Sequence, residues 1–296
     1  MKKYIVIQNI FAQNVRVEQN ATVLANYPAM TSVLGAVHSI FRKLEASEAG
    51  VMPIYHSCEM QNGYNRQMVT SPGLNEKTIL SGTTLILRPM ASINFSLVIE
   101  IDRYVSGLEE DIERLLMRTR IAGANLFLRG GISFVEGIEE LNNLLGKMKR
   151  GFVLSDETAE LGKNALEDLI QRAIFVVEPK SNKAEGKQTD IPVVQEQDSV
   201  PDLIEAEKKK GWFVPAAIGF AAFTEKKQRA NGRMPDNNGN HCYVEGVTGL
   251  VEALFIGNIP RKRLAILERK VFWKYSHDEE NMLYLAKGNS ASGEDK

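Results

Sequence analysis

The sequence has little cysteine and little histidine, two and four residues respectively in a chain of 296. Cys58 and Cys242 are far apart, so we expect neither a disulfide framework nor a zinc site built on paired cysteines. None of the four histidines is paired with another at metal-ligand spacing. We therefore predict no metal, no cofactor and a reducing compartment.

Long apolar runs are missing as well. No uninterrupted stretch approaches the roughly 20 residues that cross a membrane as a helix. Residues 1–9 lack the long apolar run and the small-residue cleavage site of a signal peptide. These absences predict a cytoplasmic protein that has no membrane partner.

Catalytic motifs are absent from the sequence. It contains no Gly-x-x-x-x-Gly-Lys-[Ser/Thr] loop, no Gly-x-Ser-x-Gly turn and no His-Glu-x-x-His pair. We therefore predict that the protein is not an enzyme. One alternative stays open, namely metal-independent RNA cleavage, in which His38 takes a 2′-hydroxyl proton and the nearby Arg42 supports the developing charge. Taken singly, these two residues also fit a partly buried histidine and a surface arginine.

The net charge is −1, so bulk basicity cannot attract nucleic acid, and any such binding must come from local patches. Residues 132–200 are the acidic part, with 8 basic and 13 acidic side chains. Two basic patches flank this part. Residues 114–135 hold four arginines and no carboxylate, and residues 208–234 hold seven basic residues and one glutamate.

The first basic patch contains Arg118 and Arg120 at a helix end and closes with Arg129-Gly130-Gly131 after a short apolar strand. Arginine binds phosphate, and glycine lets another backbone approach closely. We predict phosphate contacts from the three arginines. The alternative is an ordinary helix-turn-strand connection whose arginines are solvated.

Hydrophobic periodicity predicts an α+β protein. The first 131 residues follow the order strand, helix, strand, strand, helix, strand, which is the ferredoxin-like (RRM-like) pattern used by RNA-recognition modules. The predicted helices span residues 31–44, with an N-cap at Thr31, and residues 108–120. The predicted strands span residues 4–11, 51–58, 84–88, 94–101 and 122–128, with 84–88 paired to 94–101 and a polar loop over 59–84.

The remainder is predicted to form a second lobe of mixed helices and strands. Helical period is seen over residues 137–149, 157–173 and 243–255 and again from Arg261. An aromatic strand is predicted over residues 212–220, directly after three lysines, and a closing strand over 271–275. Residues 178–201 are predicted to be mobile. The predicted domains are residues 1–131 (ferredoxin-like RNA-binding core), 132–202 (acidic helical segment and mobile loop), 203–288 (second lobe) and 289–296 (disordered tail).

Five stretches of the sequence, taken together, resemble one family. They are residues 9–44 with Gly35-Ala36-Val37-His38-Ser39; Arg120-Ile121-Ala122-Gly123; Lys210-Gly211-Trp212-Phe213-Val214-Pro215; Tyr243-Val244-Glu245 through Gly249-Leu250; and Phe272-Trp273-Lys274-Tyr275-Ser276-His277. In this order they resemble the Cas-five-like subunit of the Csy (type I-F CRISPR) surveillance complex, a member of the RAMP superfamily.

The resemblance implies a non-catalytic, RNA-binding subunit of a ribonucleoprotein in antiviral defence. The implied partners are the 5′ handle of the guide CRISPR RNA, the large subunit and the repeated backbone subunit of the Csy complex. Target DNA would be met indirectly, because guide pairing chooses the target. The alternatives are a guide-RNA-processing endoribonuclease of the same superfamily and a stand-alone RNA-binding protein.

Basic side chains suit phosphates, whereas amides and aromatic rings suit splayed bases. The candidate RNA-binding residues are Asn9, Asn14, His38, Arg42, Arg66, Arg118, Arg120, Asn125, Arg129 and Lys210.

Overall fold

A computed structural model gives the chain a mixed α/β architecture. It describes residues 2–17, 27–44, 46–60, 65–68, 85–88, 90–102, 108–158, 212–224, 227–228, 240–278 and 282–291, with the backbone alone at 65–68, 85–88, 212, 227–228 and 240–241. Over these ranges there are four helices, one large antiparallel sheet and two small two-stranded sheets. None of these helices is both long and apolar enough to span a bilayer.

The helices are α1 (Met30–Lys43), α2 (Leu108–Leu116), α3 (Ile138–Lys147) and α4 (Pro260–Leu267). The strands in the first half are β1 (Lys3–Arg16), β2 (Glu48–Met60), β3 (Asn65–Met68), β4 (Leu85–Arg88), β5 (Met90–Ile101), β6 (Arg120–Ile121), β7 (Ala124–Leu128) and β8 (Ile132–Glu136). The strands in the second half are β9 (Gly151–Asp156), β10 (Trp212–Ala222), β11 (Lys227–Gln228), β12 (Asn240–His241), β13 (Val244–Ile256), β14 (Phe272–Asp278) and β15 (Leu283–Asn289).

The large sheet has the strand order β14-β15-β10-β13-β9-β2-β5-β1-β7-β6, and β8 also pairs with β1. A further pairing of Trp273 with Val51 joins β14 back to β2, which closes that half of the sheet on itself. The other half is open, and β7 with its short partner β6 lies at its edge.

Both faces of the sheet are buried along the first part of β1. Ile5, Ile7 and Ile10 belong to the core beneath α1 and α2, whereas Tyr4 and Val6 belong to a second core beneath α3 and α4. This follows from the alternation of side chains along a strand. Beyond Ile10 the second face is less covered, because the residues there are half-buried or exposed.

The helix expected over residues 31–44 is confirmed as α1, and its predicted apolar stripe is buried. Its N-cap is Ala29 rather than Thr31, and no side chain caps it. Instead, the N–H of Ser32 donates to the Ala29 carbonyl. The helix predicted to end at Arg120 ends earlier, at Leu116, because Arg120 pairs with Asn125 in the β6–β7 hairpin.

The helix predicted over residues 243–255 is wrong, because this segment is β13. It pairs with β10 along one edge and with β9 along the other. Gly249 permits close packing here, since a Cβ at that position would lie 2.6 Å from Ile218. Backbone pairing on both edges therefore prevailed over the helical spacing of the apolar residues.

Two other predicted arrangements are corrected. β4 pairs with β3 and not with β5, because β5 already has β1 on one edge and β2 on the other. β14 is not the closing strand, since β15 follows it and pairs with it. The described chain then continues to Ala291, which is buried and whose N–H donates to the Leu267 carbonyl.

The helix predicted over residues 137–149 is confirmed as α3, the one opened near Arg261 as α4, and the aromatic strand over 212–220 as β10. The helix predicted over 157–173 and the mobile loop predicted over 178–201 lie outside the described residues, except for Glu157 and Thr158. The predicted loop over 59–84 is described at Glu59, Met60 and residues 65–68.

Candidate nucleic-acid interface

A two-residue turn joins β6 to β7. Its central residues Ala122 and Gly123 both have positive φ, 47° and 86°, as a tight antiparallel hairpin requires. The Ala122 N–H donates to Ser32 Oγ on α1 (2.7 Å), and its carbonyl accepts from the Arg16 N–H on β1 (3.1 Å). The turn is therefore fixed to two other elements.

The hairpin places two predicted residues, Arg120 and Asn125, opposite each other. Both are exposed, and Arg120 Nε donates to Asn125 Oδ1 over 3.2 Å. The Arg16 side chain also reaches the turn, with its Nε 3.9 Å from the Cβ position of Gly123. Sequence reasoning missed Arg16, because it is the last residue of β1 and lies far from the other arginines in sequence.

The Arg129-Gly130-Gly131 stretch is a bulge between β7 and β8, both of which pair with β1. The Arg129 N–H donates to the Asn9 carbonyl (3.0 Å), and the Gln8 N–H donates to the Gly131 carbonyl (2.9 Å). A Cβ on Gly130 would lie 2.5 Å from the Gln8 carbonyl oxygen. Glycine is thus needed at Gly130 for backbone contact within the chain.

Asn9 and Asn14 mark two irregularities in β1. Both have positive φ, 55° and 61°, and each lies where the register with β5 shifts. Asparagine tolerates the left-handed region better than most residues. The Asn9 N–H donates to Ser96 Oγ (3.0 Å), so a structural role for Asn9 is evident, whereas Asn14 is exposed.

The hydrogen bond between Asn9 and Ser96 continues across the sheet through His56. Its Nδ1 lies 3.1 Å from the Arg150 carbonyl and its Nε2 lies 2.7 Å from Ser96 Oγ. Since the carbonyl can only accept, Nδ1 carries the proton and Ser96 donates to Nε2. Burial lowers the pKa of His56, and the nearby Lys149 lowers it further, against an opposing hydrogen bond to the Arg150 backbone.

On the exposed face of β7, Asn125 and Phe127 point outward while Ala124 and Leu126 are buried. Phe127 is cross-strand partner to Phe11, with ring centroids 6.5 Å apart, and the Arg129 guanidinium carbon lies 3.8 Å from the Phe11 ring centroid. Sequence reasoning missed both phenylalanines. The alternation of apolar and outward residues over Ala124–Leu128 was the available signal.

Three predicted phosphate-binding arginines are exposed around this edge. Arg118 follows α2, Arg120 begins β6 and Arg129 follows β7. In the part of the chain that the structure describes, none of them forms an ion pair. Arg114 does, with Asp111 at 2.5 Å, so the first basic patch is neutralised at its start.

His38 and Arg42 are exposed on α1, on the side of the sheet that α1 and α2 cover, whereas Phe127 points to the opposite side. His38 Nδ1 lies 2.8 Å from Glu48 Oε1, and the ring is edge-on to Tyr275. The structure thus separates these two residues from the face that carries Phe127. The Arg66 side chain and all of Lys210 lie outside the described residues.

Two of the stretches quoted for the family resemblance contact each other. The Tyr275 hydroxyl donates to the Thr31 carbonyl (2.9 Å) and lies 3.4 Å from the Cβ position of Gly35. Trp273 is fully buried, and its Nε1 donates to the Leu154 carbonyl (2.9 Å). The early helix and the late aromatic strand are therefore one packing unit.

Within the described ranges, no three His, Cys, Asp or Glu side chains come together in a way that could hold a metal ion. The arrangement at the β6–β7 edge instead offers guanidinium groups, amides and aromatic rings, which bind through charge, hydrogen bonding and stacking.

Comparison with known families gives the class and then the family. The family model described as CRISPR-associated protein (Cas_Csy2) matches residues 5–286, a range that contains this edge, so the chain is a CRISPR-associated protein. Within that class it belongs to the Csy2 family and is a subunit of a Csy complex. No curated protein matches the chain.

Proposed function

We propose that the chain is a non-catalytic subunit that binds the 5′ handle of the guide RNA of a Csy complex in antiviral defence. The observation that carries the proposal is the exposure of Arg118, Arg120 and Arg129 at one sheet edge, without an ion-pair partner among the described residues. Guanidinium groups in this state suit a phosphate backbone, which such contacts hold irrespective of base sequence.

A ferredoxin-like core of the RAMP type is part of this proposal. The adjacent strands β2-β5-β1-β7 support it, as do α1 after β1 and α2 after β5, both packed on one face. This is the strand and helix sequence of the split βαβ fold, which RNA-recognition modules use. Fold by itself does not establish function.

The Cas-five-like role brings further proposed partners. They are the large subunit and the repeated backbone subunit of the complex, with target DNA met indirectly through guide pairing in the cytoplasm. Membership of the Csy2 family supports action within such an assembly.

One observation favours the alternative, a metal-independent guide-RNA-processing endoribonuclease. Glu48 could orient His38 as a general base, because its carboxylate lies 2.8 Å from the ring nitrogen. Two features weigh against it: His38 lies on the side of the sheet that α1 and α2 cover, and the exposed arginines that we propose to hold RNA surround β7. We therefore keep the non-catalytic role as the proposal.

The experiment is a salt titration of handle RNA binding by the triple variant Arg118→Ala, Arg120→Ala, Arg129→Ala. Each lost phosphate contact flattens the log-log salt dependence by about 0.7, so a slope change of about 2 is expected. Arg114→Ala is the matched control, since Arg114 is paired with Asp111. A folded triple variant with unchanged affinity and unchanged slope would refute the proposal.

A further inference from the structure

The outward side of β7 carries an aromatic ring, Phe127, that lies outside the hydrophobic core. Phe127 is 52% exposed, although Leu126 beside it is buried in the core. Asn125 and Arg129 lie two residues before and after Phe127 and are exposed as well. Asn125 and Phe127 share a face of β7 and are roughly 7 Å apart. Arg129 follows β7 in the bulge and lies over Phe11, the cross-strand partner of Phe127, so amide, ring and guanidinium form one row.

Phe11 and Arg129 shape one side of this row. The Phe11 ring is half-buried and tilted by 38° relative to Phe127, and Arg129 lies over its face. A cation over an aromatic face is held by the ring quadrupole. Arg129 is thereby positioned by an aromatic contact rather than by a carboxylate, which leaves its positive charge available to a ligand.

The charge around the row favours an anionic ligand. Besides Arg129, the exposed Arg16, Arg118 and Arg120 lie at this edge, and none of the four forms an ion pair in the described ranges. The outer edge of β7 beyond Asn125 also has no strand partner there. A polyanion with flat apolar groups matches both the arginines and the ring, and single-stranded RNA is that polyanion.

We propose that Phe127 stacks on one unpaired base of single-stranded RNA, while Asn125 hydrogen-bonds the edge of that base and Arg129 contacts a neighbouring phosphate. The inference rests on the proposed function, because it names the part of the handle RNA that this edge would hold. It assigns base recognition to a ring on the side of the sheet opposite α1 and α2.

The test uses the full-length protein, the variant Phe127→Leu and synthetic single-stranded RNA with the sequence of the guide's 5′ handle. A lost base stack should weaken binding by about 5- to 150-fold. Its salt slope should be unchanged, since the ring contacts no phosphate. RNAs with one base at a time replaced by an abasic site should identify a single position at which the wild type weakens and Phe127→Leu weakens no further.

Phe223→Leu is the matched control, because Phe223 is a 65% exposed ring that directly follows β10, a strand that does not adjoin β7. The RNA affinity of this variant should equal that of the wild type. Phe127→Trp should retain or strengthen binding, which keeps the test decisive if the leucine variant folds poorly. Folding of each variant is checked by circular dichroism and cooperative unfolding.

Failure of this inference can be told apart from failure of the proposed function. If the triple arginine variant flattens the salt slope but Phe127→Leu and Phe127→Trp bind every RNA as the wild type does, the stacking role is overturned and the proposed function stands. Absence of handle binding by the wild type would overturn both. Loss of sister subunits from purified Phe127→Leu, at unchanged RNA affinity, would make the ring a protein contact and also overturn the stacking role.

Discussion

Single residues hold the irregular part of β1 in place. The Asn9 N–H donates to Ser96 Oγ, Ser96 donates to His56 Nε2, and His56 Nδ1 donates to the Arg150 carbonyl. Asn9 also accepts the hydrogen bond of the Arg129 N–H. The neutral His56 ring is thus connected, through Ser96 and Asn9, to the bulge that positions Arg129.

The first residue-level prediction concerns pH. Because the folded state lowers the pKa of His56, the unfolded chain binds the proton more readily. Stability from this group is therefore fully present above the unfolded pKa of about 6.5 and is lost as pH falls below it. The urea concentration at the midpoint of unfolding should decrease as the pH is lowered from about 7 to about 5.5. His56→Gln should make this pH dependence shallower. An equal slope in both proteins would contradict the assignment.

The second residue-level prediction concerns catalysis. His38→Ala should leave the length of the guide RNA unchanged in cells, because the non-catalytic role that we propose includes no cleavage step in which His38 could act. Gel analysis of the guide RNA checks this, with His277→Ala as a control histidine on β14. Accumulation of uncleaved precursor in the His38 variant alone would support the endoribonuclease.

At the element scale, the β7–β8 segment is one strand interrupted by a bulge. Both strands pair with β1, and the bulge at Arg129-Gly130-Gly131 faces the one at Asn9. The two glycines differ in their surroundings. A Cβ at Gly130 would press on the Gln8 carbonyl, while a Cβ at Gly131 would have nothing within 4 Å.

These surroundings predict unequal effects of two chemically identical changes. Gly130→Ala should cost about 1–3 kcal/mol, because the close backbone contact with Gln8 must open, and it should also displace Arg129 and weaken handle RNA binding. Gly131→Ala should change stability by no more than about 0.5 kcal/mol. Chemical denaturation of both variants tests this. Equal stability of the two would show that the backbone of β1 yields without cost.

At the scale of the whole molecule, the first 131 residues share their main core with the second half of the chain. The core beneath α1 also contains Ile218, Val251 and Trp273 from the second half of the chain. Tyr275 on β14 donates to Thr31 on α1, and β14 pairs with β2. The predicted boundary at residue 131 therefore crosses a continuous apolar core.

A fragment of residues 1–131 should accordingly fail to fold as an independent unit, since α1 would expose the apolar face that β10, β14 and β15 cover. Circular dichroism and proteolysis of the isolated fragment, beside the full chain, would test this. A fragment with a cooperative unfolding transition would contradict the shared core.

In the full chain, Trp273→Ala should lower the free energy of unfolding by about 3–5 kcal/mol, as expected for a buried aromatic residue.

Periodicity predicted α1, α3 and the first strands well, because the apolar residues of the two helices follow helical spacing and those of the strands form short runs rich in β-branched residues. It was wrong for β13, whose residues are spaced so that helix and strand are both compatible with the pattern. Two flanking strands satisfy its backbone hydrogen bonds, and these partners are far away in sequence. The predicted pairing of β4 with β5 was also wrong, because strands that are close in sequence need not be neighbours in a sheet; β4 pairs with β3.

Residue order alone established features that lie within one stretch of the chain or are spread along its whole length. The run of arginines without a carboxylate, the missing catalytic motifs and the dispersed family stretches are properties of residue order, so they needed no coordinates. Only the tertiary structure decided that Arg114 is neutralised by Asp111, that Arg129 lies over Phe11, and that Phe127 faces outward beside Asn125. The physical reason is that strand pairing brings together residues more than a hundred positions apart, such as Phe11 and Phe127, and their register depends on every bulge between them.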